Sequence, residues 1–269
     1  MCSRRLPAML ALALALAAAA CGPAGAPAGP VTRPGEPVAR PAAPALPVDR
    51  IAIVGASASV GFGGTPFGEA FAAAAPRSRV ESYANLMLFR DPIGDGRLQI
   101  DKAIAFRPTA LVAIDFLFWN VYGSNDPAWR ERALASGLAA LERAREAGAW
   151  IVLGDVPYIT TAAEWMLPAE HVPDRAVIAT FGAQIAAWAN ARDRVLLVPF
   201  ASWTTPLLAN DEVELSPGER LPARSLLSID GLHANPLGTW YLLDKLDHFI
   251  EARLPGTPAD ALVFARPDF

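Results

Sequence analysis

The chain has 269 residues, with 23 basic and 27 acidic side chains and a formal net charge of −4. This acidic balance, without any block of basic residues, argues against nucleic acid as a partner. Both cysteines, Cys2 and Cys21, lie near the N-terminus, so the rest of the chain contains neither a disulfide framework nor a cysteine-ligated metal site. The length fits one large domain or two small ones.

The N-terminus has the pattern of an export signal. Arg4 and Arg5 precede an apolar run over residues 6–20, which is too short to span a bilayer and has the length of a signal-peptide core. The run ends at Cys21, in a sequence that resembles a bacterial lipoprotein cleavage box. We therefore expect residues 1–20 to be a signal peptide and Cys21 to be lipidated, in an exported bacterial protein anchored in the periplasm or at the cell surface. An ordinary signal peptide that is cut nearby is the alternative.

Residues 21–48 are dominated by proline, alanine and glycine. Such a segment buries too little apolar surface to fold, so it is predicted to be a semi-extended tether. Apart from the lipid anchor, we expect no contact with a membrane. The predicted folded domain covers residues 49–269.

Within this domain, short apolar runs alternate with helical periods. The predicted strands are residues 51–55, 79–83, 110–114, 150–154 and 195–198. Asp126-Pro127 and Asn235-Pro236 each have the pattern of a helix start, a capping side chain followed by proline. This alternation predicts an α/β fold, a three-layer α/β/α sandwich around a flavodoxin-like five-stranded parallel sheet. A site is then expected at the carboxyl ends of the strands.

The first strand runs into a loop of small residues that contains Ser57. Small residues allow a sharp turn, which would expose Ser57 at the end of the strand, and the following helix could help to stabilise negative charge. The loop lacks the lysine of a phosphate-binding P-loop. A serine in this position is also common as a simple turn or capping residue.

A second group of polar residues precedes the last helix. Asp230 stands three residues before His233, so its carboxylate could fold back onto the imidazole Nδ1 and leave Nε2 free to act as a base. His171 and His248 lack this setting and are expected to be surface residues.

Together these two loops resemble the SGNH (GDSL-type) hydrolases. The segment Gly55-Ala56-Ser57-Ala58-Ser59-Val60-Gly61 is similar to their first block, Gly-Asp-Ser-Leu-x-x-Gly, with alanine in place of the aspartate. The segment Asp230-Gly231-Leu232-His233-Ala234-Asn235-Pro236 is similar to their last block, Asp-Gly-x-His-Pro-Asn. The resemblance implies that Ser57 is the nucleophile, His233 the general base and Asp230 the carboxylate that orients it.

The family's middle blocks, which supply oxyanion donors, are not clearly present. Asn120 stands two residues later than the family's asparagine, and Gly96 or Gly94 follows the second strand. We take Asn120 and Gly96 as the candidate donors. Asp115 and Asp155 end strands and could line the site, although buried or capping roles are the simpler interpretation.

The resemblance implies a serine esterase that hydrolyses a lipid, an acetylated sugar or a similar small-molecule or glycan ester, without a cofactor or metal. An O-acyltransferase with the same triad, a catalytically degenerate surface binding module and a flavin-binding protein are the alternatives. Residues 162–168 and 203–221 are candidate lids or rims of the site.

Overall fold

The computed structural model describes residues 43–160 and 167–268. The predicted signal peptide, Cys21 and most of the predicted tether therefore lie outside the described residues. The last residues of the tether pack against the domain: Leu46 is 4% exposed, and its N–H donates to Thr257 Oγ1 at 2.8 Å. The packed part of the chain thus begins before residue 49.

The central sheet is parallel throughout and has five strands in the order β2-β1-β3-β4-β5. This is the flavodoxin-like order, and it confirms the predicted fold class. The sheet brings the carboxyl ends of β1 and β3 side by side, since Ile53 of β1 pairs with Val112 of β3. The strands are β1 (Arg50–Ile53), β2 (Arg79–Ser82), β3 (Ala110–Ala113), β4 (Trp150–Gly154) and β5 (Val195–Val198).

Helices cover both faces of the sheet. One buried cluster joins the sheet to the third, fifth and sixth helices through Ile100, Leu134 and Ile185. The other joins it to the second and eighth helices through Phe71 and Leu246. The helices are α1 (Ser57–Val60), α2 (Phe67–Ala74), α3 (Gly94–Phe106), α4 (Phe118–Tyr122), α5 (Pro127–Glu146), α6 (Arg175–Asn190), α7 (Phe200–Ala209) and α8 (Pro236–Arg253).

Both predicted helix starts are present. Asp126 accepts a hydrogen bond from the Ala128 N–H at 2.9 Å, and Asn235 accepts one from the Gly238 N–H at 2.9 Å. These bonds satisfy backbone donors that the first turn of a helix leaves free. The cap of α8 matters for the site because it fixes the loop that carries His233.

The candidate rim at residues 203–221 is structured. It contains most of α7 and an antiparallel hairpin of β6 (Glu212–Ser216) and β7 (Glu219–Pro222). A third buried cluster, which includes Leu207, Leu226 and Tyr241, packs this unit against α8. Across the described residues, no helix is both long and apolar enough to cross a membrane.

Candidate active site

Ser57 lies at the carboxyl end of β1, as the first residue of α1. The turn before it needs glycine: Gly55 has φ of 153°, and a Cβ there would lie 2.0 Å from Asp115 Oδ1. As the first residue of a helix, Ser57 has a backbone N–H without an acceptor inside that helix. That N–H is therefore available to bind an oxygen atom next to the hydroxyl.

Asp115, directly after β3, holds the turn that carries Ser57. Its Oδ1 accepts hydrogen bonds from the Ala56 N–H at 3.1 Å and the Ser59 hydroxyl at 2.6 Å. Its Oδ2 accepts from the N–H groups of Ala58 at 2.9 Å and Ser59 at 3.2 Å. Because a carboxylate is a strong acceptor for the free N–H groups at a helix start, this contact fixes the conformation around Ser57.

Gln99, on α3, holds the same turn from the other side. Its Oε1 accepts from the Gly55 N–H at 2.8 Å, and its Nε2 donates to the Gly55 carbonyl at 3.1 Å. Gln99 is 3% exposed, so these bonds form away from water, where losing a partner is costly. The turn before Ser57 is therefore clamped by two buried side chains, Asp115 and Gln99.

Ser59 has a different environment from Ser57, although it belongs to the same turn. Its side chain is fully buried, and its hydroxyl donates to Asp115. Ser57, in contrast, lines a cavity. Of the two serines, only Ser57 is therefore placed to meet a ligand.

The loop before α8 brings Asp230 and His233 to Ser57. His233 Nδ1 lies 2.8 Å from Asp230 Oδ2, and His233 Nε2 lies 2.8 Å from Ser57 Oγ. Both are hydrogen-bond distances, and they are the two contacts that the sequence predicts. The imidazole also packs edge-on against Phe62, with ring centroids 4.8 Å apart.

The Asp230 carboxylate is anchored by the backbone of its own loop. Its Oδ1 accepts from the N–H groups of Leu232 at 2.9 Å and His233 at 3.0 Å. Burial raises the pKa of Asp230, but these two bonds and the imidazole outweigh it and leave the pKa below its usual value. Asp230 therefore stays ionised near neutral pH and can hold a proton on His233 Nδ1.

The structure does not bring Asn120 to this site. Asn120 lies in α4 and is 1% exposed. Its Nδ2 donates to the Ala133 carbonyl of α5 at 2.8 Å, so its side chain packs between two helices and does not line the cavity. The expectation that Asn120 donates to an oxyanion is wrong, because its helix turns the side chain towards α5.

The glycine candidates also lie elsewhere. Gly96 is buried in the first turn of α3, and a Cβ there would lie 3.4 Å from the Phe116 ring. The N–H of Gly94 donates to Asp91 Oδ1 at 2.9 Å. Neither glycine lines the cavity next to Ser57, so Gly96 is corrected from an oxyanion donor to a packing position.

Ser57 and His233 open onto a cavity whose empty space, including its opening to solvent, is about 900 Å³. Asp155 also lines it. Burial raises the pKa of Asp155, while hydrogen bonds from the N–H groups of Ala201 and Phe200 lower it, and the net direction is upward. Asp155 therefore holds the first turn of α7, which forms one wall of the cavity.

The remaining predicted residues lie away from this cavity. His248 is exposed and contacts the Asp244 carbonyl of its own helix at 2.8 Å. His171 ends a short 3-10 helix and is half-buried. Of the candidate lid at residues 162–168, positions 162–166 lie outside the described residues. In the described parts of the chain, no group of three or more His, Cys, Asp or Glu side chains could hold a metal ion.

The sequence favours a buried or capping role for Asp115, and the structure agrees, but the sequence does not predict that its partners lie in the turn around Ser57. Most of those partners are backbone N–H groups, which no sequence pattern identifies. Gln99 lies inside a helix and gave no signal. Phe62, against the imidazole, stands in the glycine-rich loop after Ser57, where a large exposed aromatic side chain is itself unusual.

Comparisons with known proteins agree with the fold. The sequence matches no family model and no curated protein. It resembles a solved structure of TesA, with a TM-score of 0.51 and 21% identity over 76% of this chain and 99% of that one. It also resembles a catalytic mutant of Axe2, an acetylxylan esterase from Geobacillus stearothermophilus, with a TM-score of 0.50 and 14% identity over 75% of this chain and 94% of that one. The chain therefore has the α/β fold of these proteins, with a five-stranded parallel sheet between helical layers.

Proposed function

We propose that the protein is a serine esterase in which Ser57 is the nucleophile and His233 and Asp230 are its base and orienting carboxylate. The observation that carries the proposal is the continuous chain of contacts from Asp230 through His233 to Ser57, at the wall of a cavity. This arrangement has the geometry of an activated nucleophile, in which a base oriented by a third group lies within hydrogen-bond reach of a hydroxyl.

The proposed reaction has two steps, acylation of Ser57 and hydrolysis of the acyl-enzyme. Ser57 Oγ attacks the ester carbonyl carbon while His233 Nε2 takes the hydroxyl proton, and the tetrahedral intermediate collapses when that proton passes to the departing alcohol. Water then gives a proton to His233 and attacks the acyl carbon, and the carboxylic acid leaves as Ser57 regains its proton. The Ser57 N–H at the start of α1 faces no helical acceptor and can donate to the oxyanion of both intermediates.

Asp115 and Gln99 act as positioning residues in this proposal. Each oxyanion donor is typically worth about 2.7–4 kcal/mol of barrier, provided that it points at the developing charge. The turn between Gly55 and Ser59 must therefore hold both the Ser57 hydroxyl and its N–H in place. The bonds of Asp115 and Gln99 to this turn provide that rigidity.

The test is covalent labelling with a serine-directed fluorophosphonate, together with turnover of nitrophenyl esters. Wild-type protein should be labelled on Ser57 and should release nitrophenol. Ser57→Ala should lose both, whereas Ser202→Ala, at an exposed serine of α7, should keep both. Intact wild-type protein that neither reacts with the probe nor turns over any ester would refute the esterase and favour a binding module.

We also propose that the protein is exported and anchored through a lipid on Cys21, on the strength of the apolar run that ends there. Replacing Cys21 with serine should move the protein from the membrane fraction to the soluble fraction. Wild-type protein that is already fully soluble would contradict the anchor without affecting the esterase.

A further inference from the structure

The cavity next to Ser57 has an apolar wall that the hydrolytic reaction itself does not require. Ile114 and Phe118 contribute to it from the end of β3 and from α4, and Val156 and Ile159 from the segment after β4. Leu207 closes it from α7. Ester cleavage needs only the triad and oxyanion donors, so this wall points to the part of the substrate that does not react.

Most polar side chains that line the cavity already have partners within the protein; among the described lining residues the Thr239 hydroxyl is the exception. Asp115 accepts four hydrogen bonds from the turn around Ser57, and Asp155 accepts from the Ala201 N–H. The Thr204 hydroxyl donates to the Phe200 carbonyl at 3.0 Å. Among the described residues that line this cavity there is no lysine or arginine. Few side chains of the wall are therefore free to replace the hydrogen bonds that a polar ligand makes with water.

We propose that this cavity binds an unbranched aliphatic chain of the substrate, so that the protein acts on esters of medium-length chains and not on acetylated sugars. The proposal rests on the esterase function of Ser57. A sugar hydroxyl placed against this wall would lose its bonds to water and find few groups to replace them, which is costly. An aliphatic chain has no hydrogen bonds to water to lose, and each methylene group that it buries makes binding more favourable.

The expected signature is a rise of kcat/KM with chain length. Each buried methylene group should increase kcat/KM about fourfold, which corresponds to ~0.8 kcal/mol, until the cavity is full. Two ester series locate the chain: nitrophenyl esters from acetate to dodecanoate extend the acyl side, and acetates of alcohols from ethanol to decanol extend the alcohol side. A rise in either series supports the proposal, and the series that rises identifies the side.

Two neighbouring threonines on α7 provide a matched pair of variants. Thr204 lines the cavity, whereas Thr205 is exposed, and each hydroxyl donates to a carbonyl four residues earlier in the helix. Thr204→Phe should fill the cavity and, in the series that rises, lower kcat/KM for the eight-carbon chain at least tenfold more than for the two-carbon chain. Thr205→Phe should keep the wild-type preference.

Several outcomes would overturn the proposal. One is wild-type protein whose kcat/KM is highest for the two-carbon chain in both series. Another is a Thr204→Phe variant that loses activity on the two-carbon and the eight-carbon chain of the rising series by the same factor. Binding to Ser57→Ala protein separates this inference from the esterase. If an eight-carbon chain binds Ser57→Ala protein at least tenfold more tightly than the two-carbon chain of the same series, but wild-type protein hydrolyses no ester, the cavity is supported and the esterase is refuted. If the two chain lengths bind equally in both series and wild-type protein does hydrolyse esters, the cavity is refuted and the esterase is supported.

Discussion

Replacing Asp230 with asparagine tests the candidate triad at a single atom. Asp230 Oδ1 accepts two backbone N–H bonds, from Leu232 and His233, while Oδ2 faces the imidazole Nδ1. An asparagine would keep its oxygen on the two backbone donors. Turning the amide round would leave both donors facing an NH₂ group, which costs about 1–3 kcal/mol for each buried unsatisfied donor.

The amide NH₂ of the variant would therefore face His233 Nδ1. Since that group can only donate, Nδ1 must become the acceptor and the ring proton moves to Nε2, the atom that should take the proton of Ser57. We expect kcat to fall by about 10⁴-fold, the effect of an inverted tautomer in a Ser-His-Asp triad. This loss corresponds to ~5 kcal/mol of barrier.

The assay is hydrolysis of a nitrophenyl ester at neutral pH, with thermal unfolding to show that the variant is folded. The matched control is Asp244→Asn. Asp244 lies 3.6 Å from Nδ1 of the exposed His248, so the control removes the carboxylate of another Asp–His pair and should leave kcat unchanged. A folded Asp230→Asn variant whose kcat stays within tenfold of wild type would refute the tautomer argument.

Three further variants replace residues outside the proposed triad, and they are expected to change stability without a large change in kcat. Ser59→Ala removes one hydrogen bond to the Asp115 carboxylate, so unfolding free energy should fall by about 1.5–3 kcal/mol while kcat stays within about tenfold; a loss as large as that of Ser57→Ala would make Ser59 part of the chemistry. Asn120→Ala removes the bond to the Ala133 carbonyl and should cost about 1 kcal/mol of stability without changing kcat, whereas a kcat loss of 10²-fold or more would restore Asn120 as an oxyanion donor. Burial and neighbouring acidic groups raise the pKa of Asp247 to about 6. Between about pH 4 and 6 the folded state therefore holds a proton on Asp247 that the unfolded state has released. The contribution of this group to stability falls as the pH rises through that range. Asp247→Asn should therefore raise Tm at pH 7.5 but not at pH 4, and an equal shift at both values would contradict that pKa.

The strands of the sheet, and the contacts of His233 with Asp230 and Ser57, could be predicted from the sequence. Buried parallel strands occur in a sequence as short, nearly continuous apolar runs. Residues 110–114 form such a run, and it is sufficient to predict the strand. Asp230 and His233 are three residues apart, so their contact depends on one loop. Ser57 follows a strand, and the carboxyl ends of parallel strands meet at one edge of the sheet.

The roles of some residues depend on the direction of a side chain, and these roles could be assigned only from the tertiary structure. Asn120 stands near the expected position in the sequence, yet one short helix turns it towards α5. Asp115 is expected to be a buried or capping carboxylate, and it is buried, but only the structure shows that its partners lie in the turn around Ser57. Such contacts depend on the direction in which a helix turns each side chain and on the position of backbone N–H groups. The spacing of residues in the sequence specifies neither.

The cavity wall also shows which features the sequence predicts and which depend on tertiary structure. The sequence predicts that residues 203–221, which carry several apolar side chains, form a lid or rim of the site. It did not distinguish Thr204, which lines the cavity, from Thr205, which faces solvent. Adjacent residues on a helix point about 100° apart, so only the packing of α7 decides which of them lines the cavity.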